Sequence, residues 1–222
     1  MKISVVIPAS GAGLRFGGEI PKQFLRLGGE TILKRTLSVF NSLESICEIA
    51  VAAAEEYFPE IEGYKISKLR HIVPGKETRA QSVYSALKAI SGDAEIVLVH
   101  DGIRPFVTHE IIEAVVQAVL KYGAAVACLP VTDTIKKVDA QNKIISTLQR
   151  NLLWQAQTPQ GFTYETIMRA YAAAEADGIL PYATDDSALV ERIGISVHVV
   201  PSSPANIKIT TQTDLKIAEA FL

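Results

Sequence analysis

Cysteine is scarce in this chain: two among 222 residues, Cys47 and Cys128, with no Cys-x-x-Cys pair. That excludes a disulfide scaffold and a thiolate zinc site. Each lies in an apolar run, SICEIAVAA and AAVACLPV, and both read as small buried hydrophobes. Histidine is nearly as rare. His71, His100, His109 and His198 show no metal-ligand spacing, and no Ser-His-Asp or Cys-His set stands out. Excess charge is missing too. The formal net charge is −2, whereas a general nucleic-acid binder is usually basic. No apolar run reaches about 18 residues, so no membrane span is expected. Met1-Lys2 leads straight into a short strand broken by Pro8, so no signal peptide is expected and the expected compartment is the cytoplasm.

What is present is an alternation of strands and helices. A hydrophobic content of 48% supplies a full core. Apolar runs at Ile3–Ile7, Ile46–Ala53, Leu69–Val73, Ile96–Val99, Ala124–Val131 and Ile195–Val200 read as strands. Helices are expected over Thr31–Phe40, Arg79–Ile90, Thr108–Tyr122, Tyr164–Ala176, Asp185–Arg192 and Thr213–Phe221. This predicts an α/β fold with a mainly parallel sheet, whose ligands bind beyond the carboxyl ends of the strands. Between Thr132 and Gln149 the pattern changes. TIKKVD and KIISTL, separated by Ala140-Gln141-Asn142, predict a hairpin with one wetted face. Such a hairpin is too short to fold alone, and Ile135, Val138, Ile144 and Ile145 need cover. One domain with an arm over 132–155 follows.

The chain is organised around Val5 to Phe24, VVIPASGAGLRFGGEIPKQF. A β-branched strand ends at Pro8 and a small-residue loop follows: Ala9, Ser10, Gly11, Ala12, Gly13. Such a loop lets backbone N–H groups approach phosphate oxygens, and Arg15 and Lys22 add two positive charges. The loop is not a dinucleotide fingerprint, because Phe16 stands at the third glycine position, and not a P-loop, because no Gly-Lys-Ser/Thr closes it. A polyphosphate site fits better; a plain tight turn remains the simpler reading of the glycines alone.

Other candidates lie at strand ends. His100-Asp101-Gly102-Ile103-Arg104-Pro105 follows a buried strand, so Asp101 can bind a hydroxyl or a magnesium ion, or only pair with Arg104 in a turn. In GKETRAQS, Gly75 permits close approach and Ser82 can meet a base edge; the plainer reading is a helix start with Arg79 solvated. Thr184-Asp185-Asp186 reads as a helix cap. Thr134 reads as a strand residue, Lys208 as an exposed cation in a short late strand, and Arg150 as an exposed cation after the hairpin.

The run PASGAGLRFGGEIPKQF resembles the A-x-G-x-G-x-R…P-K-Q signature of CTP-dependent nucleotidyltransferases, and within them the 2-C-methyl-D-erythritol 4-phosphate cytidylyltransferase family. Matching blocks follow in order at Gly75–Ser82, Val99–Phe106, Pro130–Thr134, Arg150–Gly161, Thr184–Leu189 and Asn206–Thr210. The family commonly has two alanines where this chain has Gly102 and Ile103. The resemblance implies a Rossmann-like nucleotidyltransferase of the non-mevalonate isoprenoid route, and a homodimer in which the arm embraces the partner. It implies that Arg15 and Lys22 act on the triphosphate, that Ala9 to Gly13, Gly75 and Ser82 bind CTP, and that Asp101, Arg104, Thr134 and Thr184 face a sugar-alcohol phosphate. Arg150 and Lys208 would hold that acceptor's phosphate, and Mg2+ would rest mainly on CTP. Nucleotidyl transfer needs no general base, since the attacking phosphate is already anionic. The alternatives are a ribitol-5-phosphate cytidylyltransferase, a non-catalytic nucleotide-binding module and an NAD-dependent dehydrogenase.

Overall fold

The computed structural model describes residues 1–11 and 20–222. In chain order the elements are β1 (Ile3–Pro8), β2 (Arg26–Leu27), β3 (Glu30–Thr31), α1 (Ile32–Ser42), β4 (Ile46–Ala53), α2 (Phe58–Gly63), β5 (Leu69–Pro74), α3 (Arg79–Leu87), β6 (Ile96–Val99), α4 (His109–Tyr122) and β7 (Ala124–Pro130). Then come β8 (Lys136–Val138), β9 (Ile144–Thr147), β10 (Trp154–Thr163), α5 (Tyr164–Ala176), α6 (Asp186–Arg192), β11 (His198–Pro201) and α7 (Gln212–Glu219). Seven strands form one sheet in the order β11-β7-β10-β6-β1-β4-β5. Every pairing is parallel except those of β10, which runs antiparallel between β6 and β7.

Alternation along the strands splits the core into two layers. Val5 and Ile7 of β1 and Ile96 and Leu98 of β6 face one side with α1 and α4. Val6, Val97 and Val99 face the other with α3, α5 and α6. Helix α4 shows why such segments are helical. Thr108 caps its first turn, Gly123 ends it with φ +85°, and Ile112, Val115, Val116 and Val119 make its buried stripe. Fully burying a side chain of this size stabilises the fold by about 1.5–3 kcal/mol.

The sequence pattern missed β10, because WQAQTPQGFT holds few β-branched apolar residues. A side chain at its Gly161 would press on Val115 and Val119 of α4, at 2.7 and 2.8 Å, so only glycine lets the helix pack this close. The β10–β7 register breaks between Ala156 and Gln160, and the peptide bond before Pro159 is cis.

Cys128 is buried, but Cys47 is exposed. Ile3 pairs with Ile46 and Ser4 with Glu48, so Cys47 is the extra residue of a bulge and turns outward. The expected hairpin is β8 and β9, which pair only with each other among the described residues. Asp139 closes its turn by accepting from the N–H groups of Gln141 and Lys143. Two expectations shift here. Thr134 precedes β8 rather than lying in a strand, and Lys208 lies in an extended segment without ladder pairing. Ladder pairing in the arm begins only at Lys136, and the Lys208 segment is tied down instead by the Ile209 N–H donating to the Ile103 carbonyl at 3.0 Å.

Candidate active site

Strands β1, β4, β5 and β6 end on one side of the sheet, and their exits are stitched together there. Ala9 N–H donates to the Ala52 carbonyl and Gly75 N–H to the Ala53 carbonyl, both at 2.7 Å. A Cβ on Gly75 would fall 2.0 Å from Ser10 Cβ, so glycine is needed for the two loops to touch. The Ser10 and Ser82 hydroxyls share a hydrogen bond of 2.8 Å, and Ser82 Oγ also accepts from Lys76 N–H at 2.9 Å. Gln23 Nε2 donates to the Ala9 carbonyl at 2.6 Å and reaches the Gly11 carbonyl at 3.3 Å. At the start of α3, Thr78 and Gln81 form a reciprocal capping box.

Between these loops lies a cavity of about 410 Å³. Ser10, Gly11, Lys22, Lys76, Arg79, Asp101 and Lys208 line it, with Ile103 on its wall. Its floor is an ion cluster around the buried Asp101 and Arg104, with Arg79 and Lys208 partly exposed above them. Asp101 Oδ1 receives Arg79 Nε at 3.0 Å; its Oδ2 receives Lys208 Nζ at 3.0 Å and Arg104 Nε at 3.3 Å. Burial alone would raise the pKa of Asp101. The charges of Arg79, Lys208 and Arg104 outweigh burial and hold the carboxyl well below the usual range. Arg104 lies behind the acid and also donates to the Asn206 carbonyl at 2.8 Å.

His100 supports this floor without titrating near neutrality. The Asp101 N–H donates to Thr158 Oγ1 at 3.1 Å, which leaves the Thr158 hydroxyl to donate to His100 Nδ1 at 3.0 Å. His100 Nε2 faces the Arg104 carbonyl at 3.1 Å and must therefore carry the proton. Burial pushes this imidazole down to about 4.

The structure brings Ser10, Gly11, Lys22, Asp101 and Lys208 into one cavity, with Ala9 at its edge. Gly75, Ser82 and Arg104 stand one step behind, shaping its loops and floor. Thr134 and Thr184 are exposed and do not line it. Arg150, at the base of the arm, donates to the Thr132 carbonyl at 2.6 Å and does not line it either. Ala12, Gly13 and Arg15 lie outside the described residues.

One expectation is overturned. Arg79 is not a solvated cation: it spans Asp101 and Asp186, the latter through both guanidinium prongs at 3.1 and 2.8 Å. The sequence reading also passed over Gln23 and Thr158. Gln23 stood in the Pro-Lys-Gln run and Thr158 in the Arg150–Gly161 block, and in both cases the run was the only signal. Among the described residues, no group of three His, Cys, Asp or Glu side chains could hold a metal ion. Nor is any helix among the described residues long and apolar enough to cross a membrane.

A single α/β domain with glycine-bearing loops and cations gathered beyond its strand ends suits a phosphate-bearing ligand, and the family and relatives it matches make it an enzyme of the nucleotidyltransferase class. A sequence model of the family described as 2-C-methyl-D-erythritol 4-phosphate cytidylyltransferase matches residues 3–222. Relatives of that name are similar throughout. The one from Symbiobacterium thermophilum is 42% identical, over 99% of this chain and 92% of its own. The one from Halalkalibacterium halodurans is 43% identical, over 100% and 97%. The crystal structure of 4-diphosphocytidyl-2C-methyl-D-erythritol synthase from Anaerococcus prevotii matches with TM-score 0.88 at 32% identity, over 99% of this chain and 95% of that one. That of 2-C-methyl-D-erythritol 4-phosphate cytidylyltransferase from Thermus thermophilus matches at 0.83 and 35%, over 100% and 98%. The chain belongs to the 2-C-methyl-D-erythritol 4-phosphate cytidylyltransferase family.

Proposed function

We propose that this cavity transfers a cytidylyl group from CTP to 2-C-methyl-D-erythritol 4-phosphate. The products are 4-diphosphocytidyl-2-C-methyl-D-erythritol and pyrophosphate, a step of isoprenoid biosynthesis carried out in the cytoplasm. The observation that supports this division of the site is one cavity holding Lys22 and the Gly11 loop beside the Asp101–Lys208 pair. The loop side takes the triphosphate. The Asp101–Lys208 side takes the acceptor.

A phosphate oxygen of the acceptor attacks the α-phosphorus of CTP. The bond to the β-phosphate oxygen breaks, and pyrophosphate leaves with its electron pair. The attacking oxygen is already anionic, so no side chain has to remove a proton. The chain's task is alignment and neutralisation of charge. Lys22 and Arg15 stabilise charge growing on the α-phosphate, as fixed donors do at an oxyanion. Asp101 keeps Lys208 pointed into the cavity, where its ammonium meets the acceptor's phosphate. Among the described residues, the carboxylates on the cavity wall are few, Asp101 and Glu77, and Asp101 is already taken up by three cations. A magnesium ion therefore rests mainly on the phosphates, which suits an ion that keeps much of its water. When bound, it supplies charge neutralisation and orders the triphosphate.

The second part of the proposal concerns the arm. Ile144, Ile145, Leu152 and Trp154 are exposed along it. In a homodimer they are covered by the other subunit, and Arg150 reaches the other subunit's acceptor phosphate with a two-pronged contact. The test of the chemistry is an assay of purified protein with CTP and either 2-C-methyl-D-erythritol 4-phosphate or ribitol 5-phosphate. Turnover of the first acceptor is expected. Preference for the second, or CTP binding with no turnover, overturns the reading. Mixing Arg150→Ala with Lys208→Ala chains tests the arm. Activity is expected to return as heterodimers form, because one site then has both cations. Confirmed exchange with no activity rules out Arg150 acting across the interface.

A further inference from the structure

Asp186 has no exposure at all, yet it is not what caps its helix. That job belongs to Asp185, whose Oδ1 accepts from Ala188 N–H at 3.1 Å. Asp186 is turned the other way, beneath Arg79. Its two oxygens take the two prongs of the guanidinium at 3.1 and 2.8 Å. The hydroxyl of Tyr171, a residue as fully buried, donates to Asp186 Oδ1 from behind. The third donor of Arg79, Nε, leaves the Asp186 side and binds Asp101 Oδ1 at 3.0 Å. Arg79 is thus a rigid bridge between an acid outside the cavity and the acid on its floor. A planar fork can hold both at once; a lysine's point charge cannot.

We propose that Asp186 is a positioning residue for the transfer reaction: it fixes Arg79, and through Arg79 the Asp101 carboxylate that orients Lys208, with Tyr171 fixing Asp186 in turn. A buried acid costs desolvation unless it is paired, and Asp186 has its full complement of partners here. Its effect reaches the acceptor side alone. The nucleotide-side loop is held by bonds that do not involve Arg79, namely the Thr78–Gln81 capping box and the Ser10–Ser82–Lys76 contacts. The inference rests on the placing of the acceptor beside Asp101 and Lys208.

The test is steady-state kinetics with both substrates varied, on Asp186→Asn, Tyr171→Phe, Arg79→Lys and the Asp186→Asn/Arg79→Lys double variant. Asp186→Asn is expected to lower kcat/KM for the acceptor by about ten- to a hundredfold, the scale of a misplaced group near the reacting atoms. KM for CTP is expected to stay within about twofold. Tyr171→Phe, which keeps the ring and loses only the hydroxyl, is expected to shift the acceptor parameters in the same direction by about threefold. The double variant is expected to be no worse than Arg79→Lys alone. Losses that multiply in the double variant overturn the proposal. So do unchanged acceptor kinetics in a folded Asp186→Asn, or a KM for CTP that rises as far as the KM for the acceptor. If Asp186→Asn does not fold, Tyr171→Phe and Arg79→Lys decide on the same CTP-against-acceptor split. Lys208→Ala separates the two claims. If it spares acceptor use, the placing of the acceptor is wrong; if it impairs acceptor use while the Asp186 series does not, this inference alone fails.

Discussion

Asp101 carries a full negative charge at 6% exposure, and three cations of the same chain reach it. Ile144 and Ile145 carry no charge, and each stands 58% exposed at the tip of the arm. A ranking of residues by hydrophobicity would place them the other way round. Burial here follows what the chain can supply. The floor draws partners from four regions: α3, the end of β6, the turn after it and the segment at Lys208. It is complete within one chain. The arm draws only on itself, through the β8–β9 pairing, and its apolar side chains find no cover there. One region is finished by folding. The other needs something beyond the fold, which is why the arm enters the proposed function as an interface.

The largest expected effect comes from breaking the finished region. Asp101→Asn leaves Arg104 buried without its anion and frees Lys208. Urea denaturation is expected to show a loss of about 3–5 kcal/mol, the usual cost of removing one partner of a buried pair. Activity is expected to fall at least as far as in any rim variant. Arg79 keeps Asp186, so the damage falls on Arg104 and Lys208 first. A stability change below about 1 kcal/mol, the scale of an exposed pair, contradicts the reading of a buried, mutually dependent cluster.

Next is Lys22→Ala, at the rim of the same cavity. Here kcat is expected to fall about 10²–10³-fold, the scale of one lost oxyanion donor, with the denaturation midpoint close to wild type. Rapid-quench and steady-state assays check it. Near-normal kcat removes Lys22 from the chemistry. The contrast with Asp101→Asn sharpens the comparison, since one change harms fold and function together and the other harms function alone.

How much of this was legible in the sequence depended on which force fixes a residue. Strands β4 and β6 carry local apolar runs, and their bounds were readable to the residue, as was α5. Strand β10 was not, because its place between two parallel strands rests on neighbours and on Gly161 rather than on its own composition. Asp101 was legible as a site candidate from its place at a strand end and Lys22 from the glycine loop beside it, but Lys208 only through ordered motifs. Periodicity says nothing about a lysine in an irregular segment. Arg79 was misread because its partner Asp186 lies 107 positions away. No local pattern reports a pair at that separation. Cys47 was misread for a smaller reason, one extra residue at a bulge.

Acid is expected to act on the floor in two successive windows. His100 is held neutral by burial at about 4, against an ordinary value of about 6.5. Below about pH 6.5 the unfolded chain binds a proton that the native chain refuses. Stability therefore falls as pH drops from about 6.5 to 4, by about 3 kcal/mol in all, and the His100 effect then levels off. Asp101 works in the lower window. Its folded pKa is depressed, so its contribution is present above its ordinary carboxyl value near 3.8 and is lost only as pH falls further. Denaturation curves at a series of pH values are expected to show the upper window flatten in His100→Gln. An unchanged slope there assigns it to other groups.

The smallest effect on the fold is expected at the arm. Ile144→Ser with Ile145→Ser removes two exposed side chains that the chain itself does not cover. Exposed substitutions away from special features usually stay within about 0.5 kcal/mol. The monomer's stability and the two acid windows are therefore expected to be unchanged. Association is where the change appears. At micromolar concentration the wild type is expected to sediment as a dimer and the double variant to shift towards monomer, because desolvated apolar anchors carry most of an interface's energy. Activity per chain is expected to fall with the dimer population, since Arg150 would no longer reach a partner's site. The opposite pattern, a destabilised fold with association intact, would mean that the arm packs on its own chain after all. A wild type that sediments only as monomer removes the interface. Ile144 and Ile145 are then simply exposed, and the cavity with its floor works without a residue from a second chain.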